Sequence, residues 1–356
     1  MIRSTSSSLI LRLTLASSSL SLFVACSQPN KASQPEGPQT KADGPTGGNS
    51  DASSDLASST GDAGTVSPED AASPGDAATV SGHQACLDFA AAYCNRLDAY
   101  AKDAVPVLYG DLATCNTRNL LYCEQSLSVP GTSLTPARWD ACAQATAAST
   151  GDAFFSNVLL PACAPQAGTL ADGNACAFHD QCAGGLCKGP LNSCGICEMK
   201  PSVGGSCASD TDCDEGLACS GAKCVAYGTS GASCDGDHPC DATFKCNAGH
   251  CEPLSPVGGA CATYADCQPW LDCASHVCQM RGVSQPGESC GYVYPGAPWT
   301  DCNGTCAITN PWAESGVCVP YVADGAHCDP SHFLECMWPA QCLNSTCTVL
   351  DPLSCK

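Results

Sequence analysis

The sequence has few basic residues, few aromatic residues and no apolar run long enough to span a membrane. Lys and Arg together number 14 of the 356 residues, against 35 Asp and Glu, and the formal net charge is −21. Nucleic acids and anionic lipid headgroups are bound through clustered positive charge, so this composition argues against both as partners. A membrane-spanning helix needs about 18 uninterrupted apolar residues, and no segment provides them.

Sequence motifs for catalysis are also missing. The chain contains no G-x-S-x-G or H-E-x-x-H motif and no glycine loop of the kind that cradles phosphates. Nothing identifies a nucleophile or a general base, so we predict no catalytic residue and no cofactor. An uncharacterised extracytoplasmic enzyme remains only as a distant alternative.

Cysteine is the abundant residue, with 33 copies in the chain. Such usage is typical of a disulfide scaffold made in an oxidising compartment and argues against a reduced cytosolic enzyme. Residues 1–25 also indicate export to such a compartment, because Arg3 and Arg12 accompany the apolar and serine-rich run 13–25. This is the layout of a secretory signal peptide.

The segment that follows the signal contains an unusual cysteine. Leu22-Phe-Val-Ala-Cys26 resembles the lipobox of bacterial lipoproteins, although Phe23 stands where leucine is usual. The resemblance implies that Cys26 becomes the lipidated first residue and anchors the chain to a membrane. The alternative is ordinary cleavage after Ala25, which leaves Cys26 as a free thiol. Lipidation would leave 32 cysteines, an even number, so the sequence also predicts no free thiol in the mature protein.

Residues 26–82 have the composition of a disordered linker. Between Ser27 and Gly82 there is no aromatic residue, and the larger aliphatic residues are only Leu56, Val66 and Val80. Such a segment cannot bury enough apolar surface to offset its ordering entropy. As a flexible coil it would span on the order of 40 Å, enough to separate a folded part from a membrane.

Residues 83–168 are predicted to form a small helical domain. Apolar residues from Cys86 to Leu97 recur at helical spacing, Asp111 is a candidate N-cap for a second helix that ends at Cys123, and Thr135-Pro136 is a start signal for a third helix. The first two helices each carry two cysteines eight residues apart. If the two helices pack antiparallel, their outer cysteines face each other and so do their inner cysteines. The two remaining cysteines of this region then form the third pair. The predicted bonds are Cys86 with Cys123, Cys94 with Cys115, and Cys142 with Cys163.

Residues 169–356 form a repeat array. Three consecutive units share the spacing C-x5-C-x5-C-x4-C with a period of 27 residues, two later units are stretched, and the first unit has five cysteines. A unit this small cannot be held by apolar burial alone, so disulfides must hold it. Of the three possible connectivities we favour first-to-third and second-to-fourth, because interlocked loops restrain the chain most. In the three regular units the predicted pairs are Cys207 with Cys219, Cys213 with Cys224, Cys234 with Cys246, Cys240 with Cys251, Cys261 with Cys273, and Cys267 with Cys278.

Other positions repeat along the array. Glycine precedes the first cysteine of a unit, as in Gly204-Gly-Ser-Cys207, and an acid often precedes the second, as in Asp212 and Asp266. With Gly-Leu-Ala-Cys219, this pattern resembles the Dickkopf N-terminal cysteine-rich domain and bacterial surface lipoproteins that carry copies of it. The resemblance covers about residues 172–347 and implies short β-hairpins held by disulfides. The signalling role of the animal proteins is not carried over.

Three chemical alternatives remain for particular residues. Cys194-Gly-Ile-Cys197 has the spacing of a redox pair or half a zinc site, but no βαβ pattern surrounds it, and two half-cystines with different partners are the simpler interpretation. The acidic cluster from Asp210 to Glu215 could bind calcium, although capping of turns is the commoner role of Asp there. Histidines beside cysteines, such as His250, are interpreted as loop residues. We therefore predict no metal site.

The sequence as a whole predicts a small disulfide-rich protein with a disordered tether, an all-α disulfide-stapled domain and a tandem array of short β-hairpins. The predicted function is that of an exported lipoprotein, anchored to the outer membrane or cell surface through Cys26. It would act without catalysis as a stalk or interaction module for a protein or polysaccharide. The alternative is soluble-ligand binding or protease inhibition by individual disulfide knots.

Overall fold

The structure is a computed structural model that describes residues 80–189, 193–293, 297–310 and 313–356. These residues belong to one compact unit. The predicted signal peptide, Cys26 and the linker lie outside the described residues, apart from the last few linker positions. No helix in the described ranges is long and apolar enough to cross a membrane.

Five helices occupy the first part of the described chain. The three long ones each begin after an N-cap residue whose side chain accepts a hydrogen bond from a backbone N–H three residues on. Asp111 and Thr135 are the predicted N-caps, and Ser81 was not predicted. The predicted second helix continues beyond Cys123 to Ser128. Two short helices were not predicted. The helices are α1 (Gly82–Tyr100), α2 (Ala104–Tyr109), α3 (Leu112–Ser128), α4 (Pro136–Ala148) and α5 (Gly151–Phe155).

The helices pack around an aromatic core. Phe89 of α1 is 1 % exposed, and its ring centroid lies 4.3 Å from that of Trp139 of α4. Tyr93, one turn further along α1, contacts Phe154 of α5 at 5.6 Å. Rings of this size bury more apolar area than any other side chains, so this cluster is the main apolar core of the described chain.

The remaining chain forms six small antiparallel hairpin units. In every unit the third cysteine and the last cysteine face each other across the hairpin, as Cys219 faces Cys224. The strands are β1 (Ala175–Cys176), β2 (Gly185–Lys188), β3 (Gly195–Met199), β4 (Leu217–Ser220), β5 (Lys223–Ala226), β6 (Phe244–Asn247), β7 (His250–Pro253), β8 (Leu271–Ala274), β9 (Val277–Met280), β10 (Gly282–Ser284), β11 (Ser289–Gly291), β12 (Thr300–Cys302), β13 (Thr305–Ala307), β14 (Ser315–Val319), β15 (Gln341–Leu343) and β16 (Thr346–Thr348).

The repeated glycine has a defined backbone role in each unit. Gly204 has φ +81° and Gly258 has φ +81°, a region that side chains with a Cβ rarely adopt. The N–H of each donates to the carbonyl of the fourth cysteine of its own unit, Cys224 or Cys278, at 2.8 Å. The turn before each unit is thereby hydrogen-bonded to the end of its hairpin.

The helices and the hairpin units share one core. Trp270, from the fourth unit, is buried among the helical aromatic residues. Trp338, from the sixth unit, packs on Tyr122 of α3 with 5.3 Å between ring centroids. The helical segment therefore does not bury its apolar surface alone. The other four units also contact residues 80–168. Phe178 of the first unit packs against Tyr122, and Glu215 of the second accepts from the Leu159 N–H. Asp241 of the third unit accepts from Ser156 and Asn157, and Asn303 of the fifth lies beside Gly110.

Candidate functional site

Sixteen disulfides pair every cysteine of the described residues. In the helical region Cys86 is bonded to Cys123, Cys94 to Cys115 and Cys142 to Cys163, the three pairs that helix packing predicted. The five later hairpin units have first-to-third and second-to-fourth connectivity, which is the connectivity favoured from the sequence, and in the five-cysteine first unit Cys176 is bonded to Cys187 and Cys182 to Cys197. The bonds are 176–187, 182–197, 207–219, 213–224, 234–246, 240–251, 261–273, 267–278, 290–306, 302–318, 328–342 and 336–347.

One disulfide joins the first unit to the end of the chain. Cys194 is bonded to Cys355, which lies 161 residues later, with 5.2 Å between their Cα atoms. Its neighbour Cys197 is bonded to Cys182 instead. The two cysteines of the C-x-x-C motif therefore have different partners, as the structural interpretation of the motif predicted. The bond closes a covalent loop that contains the second to the sixth unit.

The cysteines that cluster closely enough to hold a metal ion are all half-cystines. Five such groups of three cysteines occur in the described chain, for example Cys207, Cys213 and Cys224. Every member is bonded to another cysteine, and a metal-ligating cysteine must be a thiolate. In this oxidised state these groups offer no thiolate ligand.

The repeated acids cap turns. Asp212 and Asp266 each end a short 3-10 helix, and one carboxylate oxygen accepts hydrogen bonds from two backbone N–H groups at the start of that helix. Gln181 does the same in the first unit through its side-chain oxygen. Asp210 instead accepts from the Cys219 N–H at 2.6 Å. These carboxylates serve the turn-capping role that the sequence favoured over calcium binding.

Replacing Asp266 by Asn is expected to lower the free energy of unfolding at pH 7 by about 1 kcal/mol. Burial raises the pKa of Asp266, but hydrogen bonds from Thr263, Ala262 and Lys245 outweigh it and lower the pKa. A lowered native-state pKa stabilises the fold above the unfolded-state pKa of about 4, and this contribution is lost as the pH falls through the native-state pKa. The difference between wild type and D266N in urea unfolding should therefore shrink on acidification.

The control for this substitution is Asp214→Asn, which changes an exposed carboxylate in the second unit. This variant should unfold like wild type across the same pH range. A deficit of D266N that stayed constant down to low pH would show that the carboxylate charge does not stabilise the turn.

A cavity lies between the helices and the first unit. The cavity has a volume of about 60 Å³. Its apolar wall is formed by the Cys142–Cys163 disulfide with Leu134, Leu159, Ala162 and Pro165. Its polar wall is formed by Tyr122 of α3, Arg138 and Trp139 of α4, and Asp180 of the first unit. Since Pro165 is exposed, the cavity reaches the surface at this residue.

Three of the residues that line the cavity each have one buried polar atom without a hydrogen-bond partner among the described residues. These atoms are Nη1 of Arg138, Nε1 of Trp139 and Oδ1 of Asp180. Arg138 and Asp180 each make a hydrogen bond elsewhere in the side chain. Arg138 Nη2 donates to the Ala164 carbonyl, and the Asp180 carboxylate accepts from the Gln166 N–H. Buried polar groups in native proteins are almost always paired. The cavity is therefore the strongest candidate binding site in the described chain.

Burial shifts the pKa values of the ionisable groups in the cavity wall. Burial raises the pKa of Asp180, and the positive charge of Arg138 opposes that rise. Burial, together with the nearby Asp180 charge, also raises the pKa of Tyr122. Next to the cavity, burial lowers the pKa of His179 to about 4, so its imidazole is neutral at pH 7 and accepts from the Cys187 N–H at 2.8 Å.

Sequence reasoning missed this site. Trp139 was placed on the third long helix, but nothing singled out Arg138 or Asp180, which come from different parts of the chain. Their approach depends on how the first unit docks on the helices: the Ser133 N–H donates to the Asp180 carbonyl, and the Gln181 side chain donates to the Pro130 carbonyl. No local pattern encodes that docking.

No family model, curated protein or solved structure matches the chain.

Proposed function

We propose that this protein is an exported lipoprotein whose oxidised, compact part acts as a non-catalytic interaction module at the cell surface. The observation that carries the proposal is the complete intramolecular pairing of the described cysteines. Such pairing needs an oxidising compartment, and it leaves Cys26 as the one cysteine without a partner among them. A lipobox-like sequence at this same cysteine supports its use as the lipid attachment point.

The architecture supports binding through a rigid surface. Carboxylates that could act as bases, such as Asp212 and Asp266, are engaged in turn capping. Several apolar side chains lie in solvent: Met199 at the end of β3 is 72 % exposed, and Val203 and Val257 in turns are 69 % and 60 % exposed. Cys194 and Cys355 join the two ends of the array. We therefore propose an interaction module for a protein or polysaccharide and not an extended stalk.

The test begins with Cys26→Ser. Cells grown with a labelled fatty acid are expected to label wild type and not the C26S variant, and the linker variant Ser33→Ala should label like wild type. Purified, oxidised C26S protein is then expected to bind intact cells through its partner. The same protein after reduction and alkylation should not bind, because units this small depend on their disulfides.

The two parts of the proposal fail in different ways. Label that persists in C26S, or a wild-type chain with a free, unlabelled Cys26, would contradict the anchor. Equal cell binding by the oxidised and the reduced protein would contradict an interaction surface that depends on the fold.

A further inference from the structure

We propose that the Cys194–Cys355 disulfide is a site of reversible thiol–disulfide exchange, opened by a protein dithiol outside the cytoplasm while the other disulfides stay closed. This exchange goes beyond the interaction module and does not depend on lipid anchoring, since it involves only described residues. The pair differs from a C-x-x-C redox pair, because Cys197 is bonded to Cys182. Three features support the exchange: the exposure of the bond, its separation from the other sulfur atoms and the contacts that hold its ends.

The bond combines an exposed half-cystine with no buried one. Cys194 is exposed and Cys355 is half-buried. Every other disulfide of the described residues has a buried half-cystine or two half-buried ones. Those with two half-buried ones are Cys207–Cys219 and Cys261–Cys273. Exchange begins when a thiolate attacks a disulfide sulfur, and its rate depends on access to that sulfur. A reductant in solution is therefore expected to attack at Cys194.

The leaving thiolate also favours this bond. Cys246 is the other exposed half-cystine, but its partner Cys234 is 7 % exposed. An attack on Cys246 would release a thiolate at a site shielded from water, and burial disfavours the charged form of a group. An attack on Cys194 releases its thiolate at the half-buried Cys355. Because a better leaving thiolate speeds exchange, the Cys194–Cys355 bond should open before the Cys234–Cys246 bond.

The bond lies apart from the paired disulfides of the hairpin units. In five units three sulfur atoms lie within 4.8 Å of one another, for example those of Cys207, Cys213 and Cys224. Since both disulfides of the unit contribute to this group, a thiolate formed from one bond lies beside the other bond and can exchange with it. Cys194 and Cys355 belong to none of these groups. Their bond can therefore open and reform without changing the pairing inside a unit.

The contacts of the terminal segment specify the kind of reductant. The Gln125 side chain donates to the Leu350 carbonyl at 2.9 Å, and Pro352 is buried. These contacts keep Cys355 close to Cys194 after the bond opens. A monothiol that formed a mixed disulfide with Cys194 would be expelled by the nearby Cys355 thiolate. A dithiol completes the reduction, because its second thiolate resolves the mixed disulfide first.

The exchange conserves atoms and electrons. A thiolate of the reductant attacks Sγ of Cys194, the bond to Cys355 breaks, and Cys355 leaves as a thiolate. The second thiolate of the reductant then attacks the reductant sulfur of the mixed disulfide, and Cys194 leaves as a thiolate. Both cysteines take up the protons that the dithiol lost, so this chain gains two electrons and two protons and the reductant becomes a disulfide.

The test is partial reduction of the mature, oxidised protein. Any free thiol is first blocked with iodoacetamide, limiting dithiothreitol is added, and new thiols are labelled with N-ethylmaleimide and located by peptide mapping. Cys194 and Cys355 are expected to be labelled roughly tenfold faster than Cys234 and Cys246. The far-ultraviolet spectrum should stay unchanged, and removal of dithiothreitol in air should restore the same bond. Reduced thioredoxin, a protein dithiol, should give the same order of labelling.

A variant tests the role of the terminal contacts. In wild type, glutathione at the same thiol concentration should leave the Cys194–Cys355 bond closed. Gln125→Ala removes the hydrogen bond to Leu350 and should raise the amount of glutathione bound at Cys194 several-fold. The matched control is Gln144→Ala on α4, whose side chain donates to the exposed Asp140. This variant should react like wild type.

Four results would overturn the exchange site. The first is label that appears at Cys234 and Cys246 as fast as at Cys194, or first at any other disulfide. The second is label that spreads to Cys182 and Cys197 as the Cys194 bond opens, since the bond would then not be separate from its unit. Complete opening by glutathione would contradict the need for a dithiol. Opening by dithiothreitol without opening by reduced thioredoxin would contradict a protein reductant.

Discussion

Replacing Cys194 and Cys355 together by serine is expected to lower the free energy of unfolding by about 3–5 kcal/mol. The bond joins residues 161 positions apart, so its loss frees a large closed loop in the unfolded chain, and shortcuts through the other disulfides reduce the effect only in part. Cys194 is exposed and Cys355 half-buried, so the substitution removes little buried surface. Guanidinium unfolding of the oxidised double variant measures the change.

The control removes a bond that closes a short loop. Cys207→Ser with Cys219→Ser opens a loop with a sequence separation of 12, for which chain entropy predicts about 3 kcal/mol. The native structure of the Cys194/Cys355 variant should stay intact, with an unchanged far-ultraviolet spectrum. A loss below about 1 kcal/mol would show that the loop is already restrained in the unfolded chain.

Replacing Phe89 by Ala is expected to destabilise the described unit by about 3–5 kcal/mol. The side chain is 1 % exposed and packs on Trp139, at the centre of the core that the helices share with Trp270. Because one core serves both the helices and the hairpin units, helical circular dichroism and tryptophan fluorescence should report one transition at a lower denaturant concentration. The two signals should remain coincident in the variant.

Leu87→Ala provides the comparison on the same helix, two residues away. Leu87 is 38 % exposed, so this truncation should cost about 1 kcal/mol or less. Comparable losses for F89A and L87A, or separate transitions for the two signals in wild type, would contradict a shared core.

The local features of this protein could be predicted because each depends on residues close in sequence. Asp111 and Thr135-Pro136 specify helix starts through their own side chains and dihedral angles. The Cys86–Cys123 bond followed from helical spacing, because two antiparallel helices bring equal intervals into register. The glycine before each unit follows the same rule, since a positive φ limits the choice of residue.

The features that could not be predicted depend on docking between distant segments. Trp338 precedes the hairpin of the sixth unit in the sequence, and only the structure places it on Tyr109 and Tyr122. The partner of Cys194 is likewise found only once the first unit and the chain terminus are brought together. The cavity lined by Arg138 and Asp180 belongs to the same class, since these two residues come from segments that contact each other through the docking of the first unit.

The Cys194–Cys355 bond also determines how the protein would carry mechanical force. A pull between residue 80 and the C-terminus runs along the backbone to Cys194 and then crosses directly to Cys355. The second to the sixth hairpin units lie inside the loop and therefore outside this covalent path. In a surface protein subject to shear, a binding face on those units would keep its shape under a load applied to the chain ends.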